Sequence, residues 1–402
     1  MNIQVQRKLD RFLGAFICRV LSLFSRRCRD ISLGREPQDF LVILLSEMGS
    51  LILAYPMFEF IKRKYPGALI HVLLFDQNKE ILELIEVVPS ENILTVRNNS
   101  LIKMLLDSLR ALIKLRKIKI DTVIDCELFS RISSIYSFLS GARIRVGFHP
   151  HTQEGLFRGE FINRPVLYNP YHHISQQFIT LAEAIDSETI PKAKRLPVSN
   201  KLRVFPLKVS ETEIENASRR FRRDFPDIAD KKLVLLYVGG GLLPIRAWPL
   251  ENFCVVARDL IRKGYAVGVI GLEEDKKLAK EILAKCSNDN CIDLTGYTKS
   301  IRELMIIFHF ASLLITNDGG PGHFAAMTPI AAIILYGPET PLLYGPLSSN
   351  SFSFYVPLSC SPCLTAYNHR NSPCDGDNVC LKRISPQDVL LKAYEMLEIP
   401  QY

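Results

Sequence analysis

Apolar residues in this chain fall into short continuous runs, and between the runs they recur at three-and-four spacing. Residues 40–45 (FLVILL), 68–75 (ALIHVLLF), 92–96 (NILTV) and 120–126 (IDTVIDC) read as strands. Between them, residues 52–66, 79–88 and about 100–117 carry the helical period, the first ending at a proline. Continuous runs fit strands covered on both faces, and strict alternation with helices predicts a parallel sheet. The pattern lapses from about 150 to 205, where residues 191–201 (PKAKRLPVSNK) read as a linker. It then restarts: strands at 232–241, 265–271, 291–294, 313–316 and 331–337 alternate with helices at 249–263, 274–285, 300–311 and 322–328. A last helix opens with Ser385 as N-cap and Pro386 at the first helical position. The expected organisation is an extension over 1–39, an α/β domain over 40–200 and a second over 201–402, with ligands at the carboxyl ends of the strands.

The extension has its own pattern. Leu9, Phe12, Leu13, Phe16, Ile17, Val20 and Phe24 form one helical stripe, with Arg11, Cys18, Ser22 and Arg29 opposite. Residues 1–30 hold seven of the Arg and Lys residues against two Asp, so over half of the chain's net charge of +8 sits there. A basic helix with phenylalanines on one side fits an anionic membrane surface reached by residues 7–29. The other reading is a helix packed on the body of the protein. Arg19 interrupts the apolar region and no small-residue cleavage site follows, which argues against a signal peptide. No apolar run reaches the ~18 residues of a membrane-spanning helix. The overall composition, 48% hydrophobic and 23% charged, is that of a globular protein with ample core. Positive charge gathered in one terminal helix, rather than in a groove with interleaved aromatics, argues against nucleic acid.

Three glycine-bearing turns follow strands of the second domain. In VGGGLLPIRAWP, Gly239, Gly240 and Gly241 allow close backbone approach to a ligand, and Arg246 supplies a cation before a helix start. The turn has neither the Lys-Ser/Thr ending of a Walker loop nor the Rossmann fingerprint. In IGLEEDKK, Glu273 or Glu274 lies where an acid accepts hydrogen bonds from a ribose, though a helix-start acid is the plainer reading. In TNDGGPGHFAA, Asp318, Gly319, Gly320 and His323 cluster at a strand-to-helix turn.

Together these segments bring a resemblance. TNDGGPGHFAA followed by ILYGPETPLLYGP resembles the Asn-Asp-Ser-Gly-Pro-x-His…Gly-Pro-Thr block of the heptosyltransferases, glycosyltransferase family 9. IRAWPLENF resembles that family's Lys-x-Trp-Pro helix start, with Arg246 in the lysine's place. LLSEMGSLILAYPMFEF and DTVIDCELFSRISSIYSFLSGARIRVGF resemble its acceptor-domain segments. The order matches over roughly residues 40–395. The resemblance implies a GT-B fold, two facing Rossmann-like domains with a cleft between them. It implies inverting transfer of a heptose from ADP-heptose to the lipopolysaccharide inner core or another lipid-linked acceptor. By position, Arg246 holds the diphosphate and Glu274 the ribose, while Gly240, Gly241, Asp318, Gly319, Gly320 and His323 contact diphosphate and sugar. Such an enzyme would work without a required cofactor, in the cytoplasm, peripheral on the inner membrane.

Two departures matter. The family's first loop ends in Gly-Asp, and that Asp is the expected base. Here Ser46, Gly49 and Ser50 form the acceptor loop SEMGS, with Ser50 in the Asp position. Glu47 is the preferred replacement, then Asp125, then Glu127. The alternatives are a protein acceptor or a non-catalytic nucleotide-sugar-binding member. Second, Gly319 replaces the family's serine. Separately, Cys360, Cys363, Cys374 and Cys380 crowd residues 360–380. Four thiols at such spacing suit a structural zinc or iron site, with free thiols or disulfides as the other readings.

Overall fold

In a computed structural model of the chain, the described residues are 8–25, 36–45, 47–128, 130–149, 157–187, 189–195, 202–241, 243–364, 372, 374 and 376–398. They divide into two compact units, the second beginning at Arg203.

The first unit holds strands β1 (Asp39–Ile43), β2 (Leu69–Phe75), β3 (Ile93–Val96), β4 (Thr122–Asp125), β5 (Ile144–Phe148) and β6 (Arg164–Val166). Its helices are α1 (Ala15–Ser25), α2 (Met48–Leu53), α3 (Tyr55–Lys64), α4 (Lys79–Leu84), α5 (Leu101–Ile118), α6 (Arg131–Leu139) and α7 (Ile174–Glu183). The strands make one parallel sheet in the order β3-β2-β1-β4-β5-β6. Leu41, Ile43, Leu73, Leu94 and Val123 pack with Ala111 and Leu115 of α5 and Tyr136 of α6.

The second unit holds β7 (Leu233–Tyr237), β8 (Ala266–Gly271), β9 (Cys291–Thr295), β10 (Leu313–Asn317), β11 (Ala331–Tyr336) and β12 (Ser351–Tyr355). Its helices include α8 (Glu211–Asp224), α9 (Leu250–Arg262), α10 (Lys276–Cys286), α11 (Ile301–Phe308) and α12 (Gly320–Ala325). After these come α13 (Pro341–Tyr344), α14 (Val379–Lys382) and α15 (Pro386–Glu398). Its sheet is also parallel, in the order β12-β11-β10-β7-β8-β9. In each sheet the order reverses between the first and fourth strands, β1/β4 and β7/β10. Such a reversal leaves a crevice at the carboxyl ends of the two central strands.

Several elements differ from the sequence reading. The expected helix over 52–66 is two helices, parted at Ala54. Pro56, which lacks the N–H a helix interior needs, falls at the start of α3 instead. The expected lapse after 150 contains β6 and α7, and α8 follows the linker region. Strand β12 was hidden by its sequence, SFSFY, whose edge position leaves it only partly covered.

The N-terminal helix packs in an unusual sense. Asp10, in a π-helical turn (Asp10–Gly14) leading into α1, accepts hydrogen bonds from the backbone N–H groups of Arg131 (2.8 Å) and Ile132 (3.1 Å), capping α6. Gly14 lies against Arg131, Cys18 is buried, and Ser22 Oγ accepts from Glu160 N–H at 2.9 Å. Positions 10, 14, 18 and 22 thus form a small and polar stripe that faces the body. Phe12, Leu13, Phe16, Leu23 and Phe24 point outward, all more than half exposed. Arg7, Arg26, Arg27 and Arg29 lie outside the described residues. Among the described residues no helix is long and apolar enough to cross a membrane.

Candidate active site

The second sheet's switch point gathers three loops, because β7, β10 and β11 are neighbours and all end on the same side. After β7, Gly241 takes φ +57°, and Gly240 turns so tightly that a Cβ there would meet Leu243 O and Pro244 Cα at 2.8 Å. Gly239 leaves room for the Asp275 carboxylate, which would stand 2.7 Å from a Cβ. A 3-10 turn (Pro244–Arg246) then presents Arg246, and Trp248 sinks into the core. After β10 come Asp318, Gly319 and α12 with His323, which is buried. After β11 comes Glu339.

Asn317, the last residue of β10, fastens the first loop to the second. Its Oδ1 accepts from Trp248 N–H at 2.9 Å, and its Nδ2 donates to the carbonyls of Val238 and Gly239 at 3.0 Å each. All of these groups are buried, so each bond replaces one that water no longer offers. The fastening brings Arg246 against two carboxylates. Its Nη2 donates to Glu339 Oε1 at 2.7 Å, and its Nε lies 3.5 Å from Asp318 Oδ2. The three side chains are 16%, 2% and 6% exposed in the order Arg246, Glu339, Asp318.

Two acids and one cation share this water-poor pocket, so the charges are not balanced. Burial raises the carboxyl of Asp318 above its usual range, although Arg246 pulls it down. Burial likewise pushes Glu339 up to about 7, Arg246 lowering it and Asp318 raising it. Burial opposes the charge on Arg246 as well, but Asp318 and Glu339 outweigh it, so the guanidinium stays firmly charged. The result is a fixed cation whose second acid sits at the edge of protonation near neutral pH.

The other residues expected at the donor side are placed as follows. Glu274 is exposed in the 3-10 turn (Glu273–Asp275) after β8, the strand beside β7. Gly319 has extended backbone, and nothing lies closer than 3.9 Å to where its Cβ would stand. A serine would fit there, so its replacement changes chemistry rather than shape. Gly320 is packed by the Phe324 ring, 3.0 Å from its would-be Cβ.

In the first unit, the switch-point loops carry the proposed bases. Glu47 is the N-cap of α2, which also contains Gly49 and Ser50. The Ser50 hydroxyl donates to Glu47 Oε2 at 3.0 Å. Ser46 lies outside the described residues. Asp125 ends β4 but is wholly buried. It is ion-paired with buried Arg158, and it accepts from Ser133 Oγ at 3.2 Å and from Glu127 N–H at 3.1 Å. Glu127 Oε1 accepts from Leu45 N–H at 2.6 Å. These two acids brace the loops inward, whereas Glu47 is only half-buried and shares its loop with the serine.

The expected four-cysteine metal site is not formed among the described residues, where no group of three or more His, Cys, Asp or Glu gathers to hold an ion. Cys360 and Cys374 are exposed, Cys363 lies 3.1 Å from Ser372 Oγ, and Cys380 is buried beside Gly337. Sequence reasoning missed Asn317, Asp275 and Glu339. Asn317 opens the Asn-Asp motif, but its role as a fastener depends on a loop almost 70 residues earlier. Glu339 stands between the Gly-Pro and the Thr of ILYGPET, where the family's Gly-Pro-Thr pattern has no acid.

Residues 109–372 match the model for glycosyltransferase family 9 (heptosyltransferase). The chain belongs to glycosyltransferase family 9. Among its family-9 relatives, it is 29% identical over 185 residues to lipooligosaccharide heptosyltransferase 2 of Haemophilus influenzae, covering 45% of this chain and 51% of that protein. The chain thus spans about half the length of the curated Haemophilus relatives it matches. Among solved structures, the Escherichia coli ADP-heptose lipopolysaccharide heptosyltransferase II superposes with a TM-score of 0.66 at 21% identity, over 90% of this chain and 98% of that one. A family 9 glycosyltransferase from Veillonella parvula gives 0.65 at 20% identity, over 90% and 97%. The architecture is GT-B, with two Rossmann-like domains.

Proposed function

We propose that this family-9 protein is an inverting glycosyltransferase that moves a heptose from an ADP-activated donor to a lipid-linked saccharide of the lipopolysaccharide inner core. The observation that carries the reading is Arg246, held between Asp318 and Glu339 at the switch point of the second sheet. The names of the relatives, which are lipopolysaccharide and lipooligosaccharide heptosyltransferases, supply the donor and acceptor class.

On this reading the second unit holds the donor. Arg246 binds the diphosphate and stabilises the charge that grows on it as the sugar leaves. Glu274 accepts from the ribose hydroxyls, and Asp318, His323 and the backbone of Gly240, Gly241, Gly319 and Gly320 contact diphosphate and sugar. Glu339 keeps the guanidinium in place. Its raised pKa lets it take up a proton when a phosphate approaches, which limits repulsion between acid and anion. The first unit supplies the base. Glu47 accepts the proton of the acceptor hydroxyl as that oxygen attacks the anomeric carbon from the side opposite ADP. Ser50 donates to Glu47, orienting the carboxylate in the place of the family's aspartate. The protein would work at the cytoplasmic face of the inner membrane, with the outward phenylalanines of α1 at the lipid surface.

The test is ADP release from ADP-heptose in the presence of lipopolysaccharide truncated before its heptoses. Release that depends on the acceptor, and that falls about 10²–10⁴-fold in Glu47→Gln with the donor KM unchanged, is the expected outcome. Full turnover in Glu47→Gln would remove the base assignment. No release in the native protein would favour the non-catalytic reading.

A further inference from the structure

Helix α5 (Leu101–Ile118) is apolar on two sides. Its inner side, Ala111 and Leu115, belongs to the core of the first unit. Its outer side carries Ile102, Leu105, Leu106, Leu109 and Ile113 at three-and-four spacing, between 47% and 71% exposed. A helix with two apolar stripes needs a partner on each. Cations stand among the outer residues: Lys103, Arg110, Lys114, Arg116 and Lys117 are all exposed. The helix's one acid, Asp107, is held by Arg97 through bonds of 2.7 and 2.9 Å and by Arg110 at 3.3 Å, and the Arg97 bonds keep its carboxyl well below the usual range. An open, apolar depression of about 410 Å³ lies at the end of this stripe, lined by Leu112, Ile113 and Leu139 with Arg116 and Lys117.

Helix α1, with the π-helical turn and the residues just before it, repeats the arrangement. Its phenylalanines face outward beside exposed Lys8, Arg11 and Arg19, and its acid, Asp10, is turned inward onto α6. Both pack on α6: α1 through Asp10 and Gly14 of the turn that leads into it, α5 through the bond of Ser108 with Tyr136 and that of Arg116 Nε with the Leu139 carbonyl at 2.7 Å.

We propose that α5 is a second membrane-docking helix, lying in the plane of an anionic leaflet with Ile102, Leu105, Leu109 and Ile113 at the acyl boundary. It rests on the lipid-surface reading of α1 but on separate residues. An 18-residue helix is about 27 Å long, which suits lying along a surface. The cations meet lipid phosphates while the apolar stripe leaves water, so both features are satisfied at once. A second copy of the chain is a poorer occupant, because it would bring the same cations against these.

The test uses the full chain with vesicles of phosphatidylcholine alone or with 30% phosphatidylglycerol, read by flotation. Native protein should float with the anionic vesicles and fall away as salt rises. The double substitution Leu105→Glu with Leu109→Glu should weaken binding about tenfold or more, with the melting curve and ADP affinity unchanged, since both side chains are exposed. Phe16→Glu should weaken it separately. If only Phe16→Glu acts, the α5 inference fails while the α1 reading stands. If native protein ignores both vesicles, both fail. If the α5 variant changes sedimentation from dimer to monomer without affecting flotation, a second copy covers the helix and the inference is overturned.

Discussion

Arg246 is held by two acids in a pocket that excludes water, and that imbalance has a consequence for pH. Glu339 ionises in an unfolded chain near the ordinary glutamate value of about 4.5 and in the folded protein at about 7. Between those values the folded state binds the extra proton. The stabilisation it gives is complete below about 4.5 and is lost as pH rises through 7. Glu339→Gln should therefore flatten the fall of unfolding free energy between pH 4.5 and 7, measured by urea unfolding at a series of pH values. An unchanged slope would mean that Glu339 is already ionised across this range. The residues around this pocket were legible in the sequence to different degrees. Arg246, Asp318 and His323 stood out because cation, acid and histidine are unusual beside glycines after a buried strand. Glu339 did not, since one acid in a loop looks like any solvent-facing acid until burial is known. Asp125 showed the converse. A carboxylate ending a central strand has the right place for a base, but Arg158, which comes 33 residues later, takes it up.

The elements owe their positions to local signals, and the loops owe theirs to Asn317. Strands β1, β2, β4, β7, β8, β10 and β11 were readable because burial on both faces demands continuous apolar runs. Helix α8, which the sequence reading passed over, carried a local start signal all the same. Ser210 Oγ accepts from Glu213 N–H and Glu213 Oε2 accepts from Ser210 N–H, a capping box written as Ser-x-x-Glu. Strand β12 and the short β6 carried no comparable signal: edge pairing depends on a neighbour, not on a local pattern. No sequence pattern announces that Asn317 joins loops from adjacent strands. Asn317→Ala would leave Trp248 N–H and the carbonyls of Val238 and Gly239 buried without that partner. A loss of about 2–4 kcal/mol is expected, lowering Tm by roughly 5–15 °C in calorimetry. A change of less than a degree would show that the loops hold together without it.

At the scale of the whole molecule, the chain uses one plan twice. Each unit is a parallel sheet with the order 3-2-1-4-5-6, and each places candidate chemistry after its first and fourth strands. Alternation alone gave the sequence reading two parallel α/β domains but not their strand order, and the resemblance supplied their meaning. The N-terminal helix required the structure. Its moment was plain, but a moment does not tell which side packs. The stripe of Asp10, Gly14, Cys18 and Ser22 turns the small and polar side inward and leaves the phenylalanines out.

The central claim is that the second unit binds an ADP-linked sugar through Arg246. Isothermal titration of the full chain with ADP-heptose, GDP-mannose and UDP-glucose, repeated with Arg246→Gln, tests it most directly. A glutamine keeps much of the side chain's length but removes the charge that would meet the diphosphate. Saturable binding of ADP-heptose in preference to the other two, weakened about tenfold or more in Arg246→Gln, is the expected result. No binding of ADP-heptose, or equal affinity in Arg246→Gln, would contradict it.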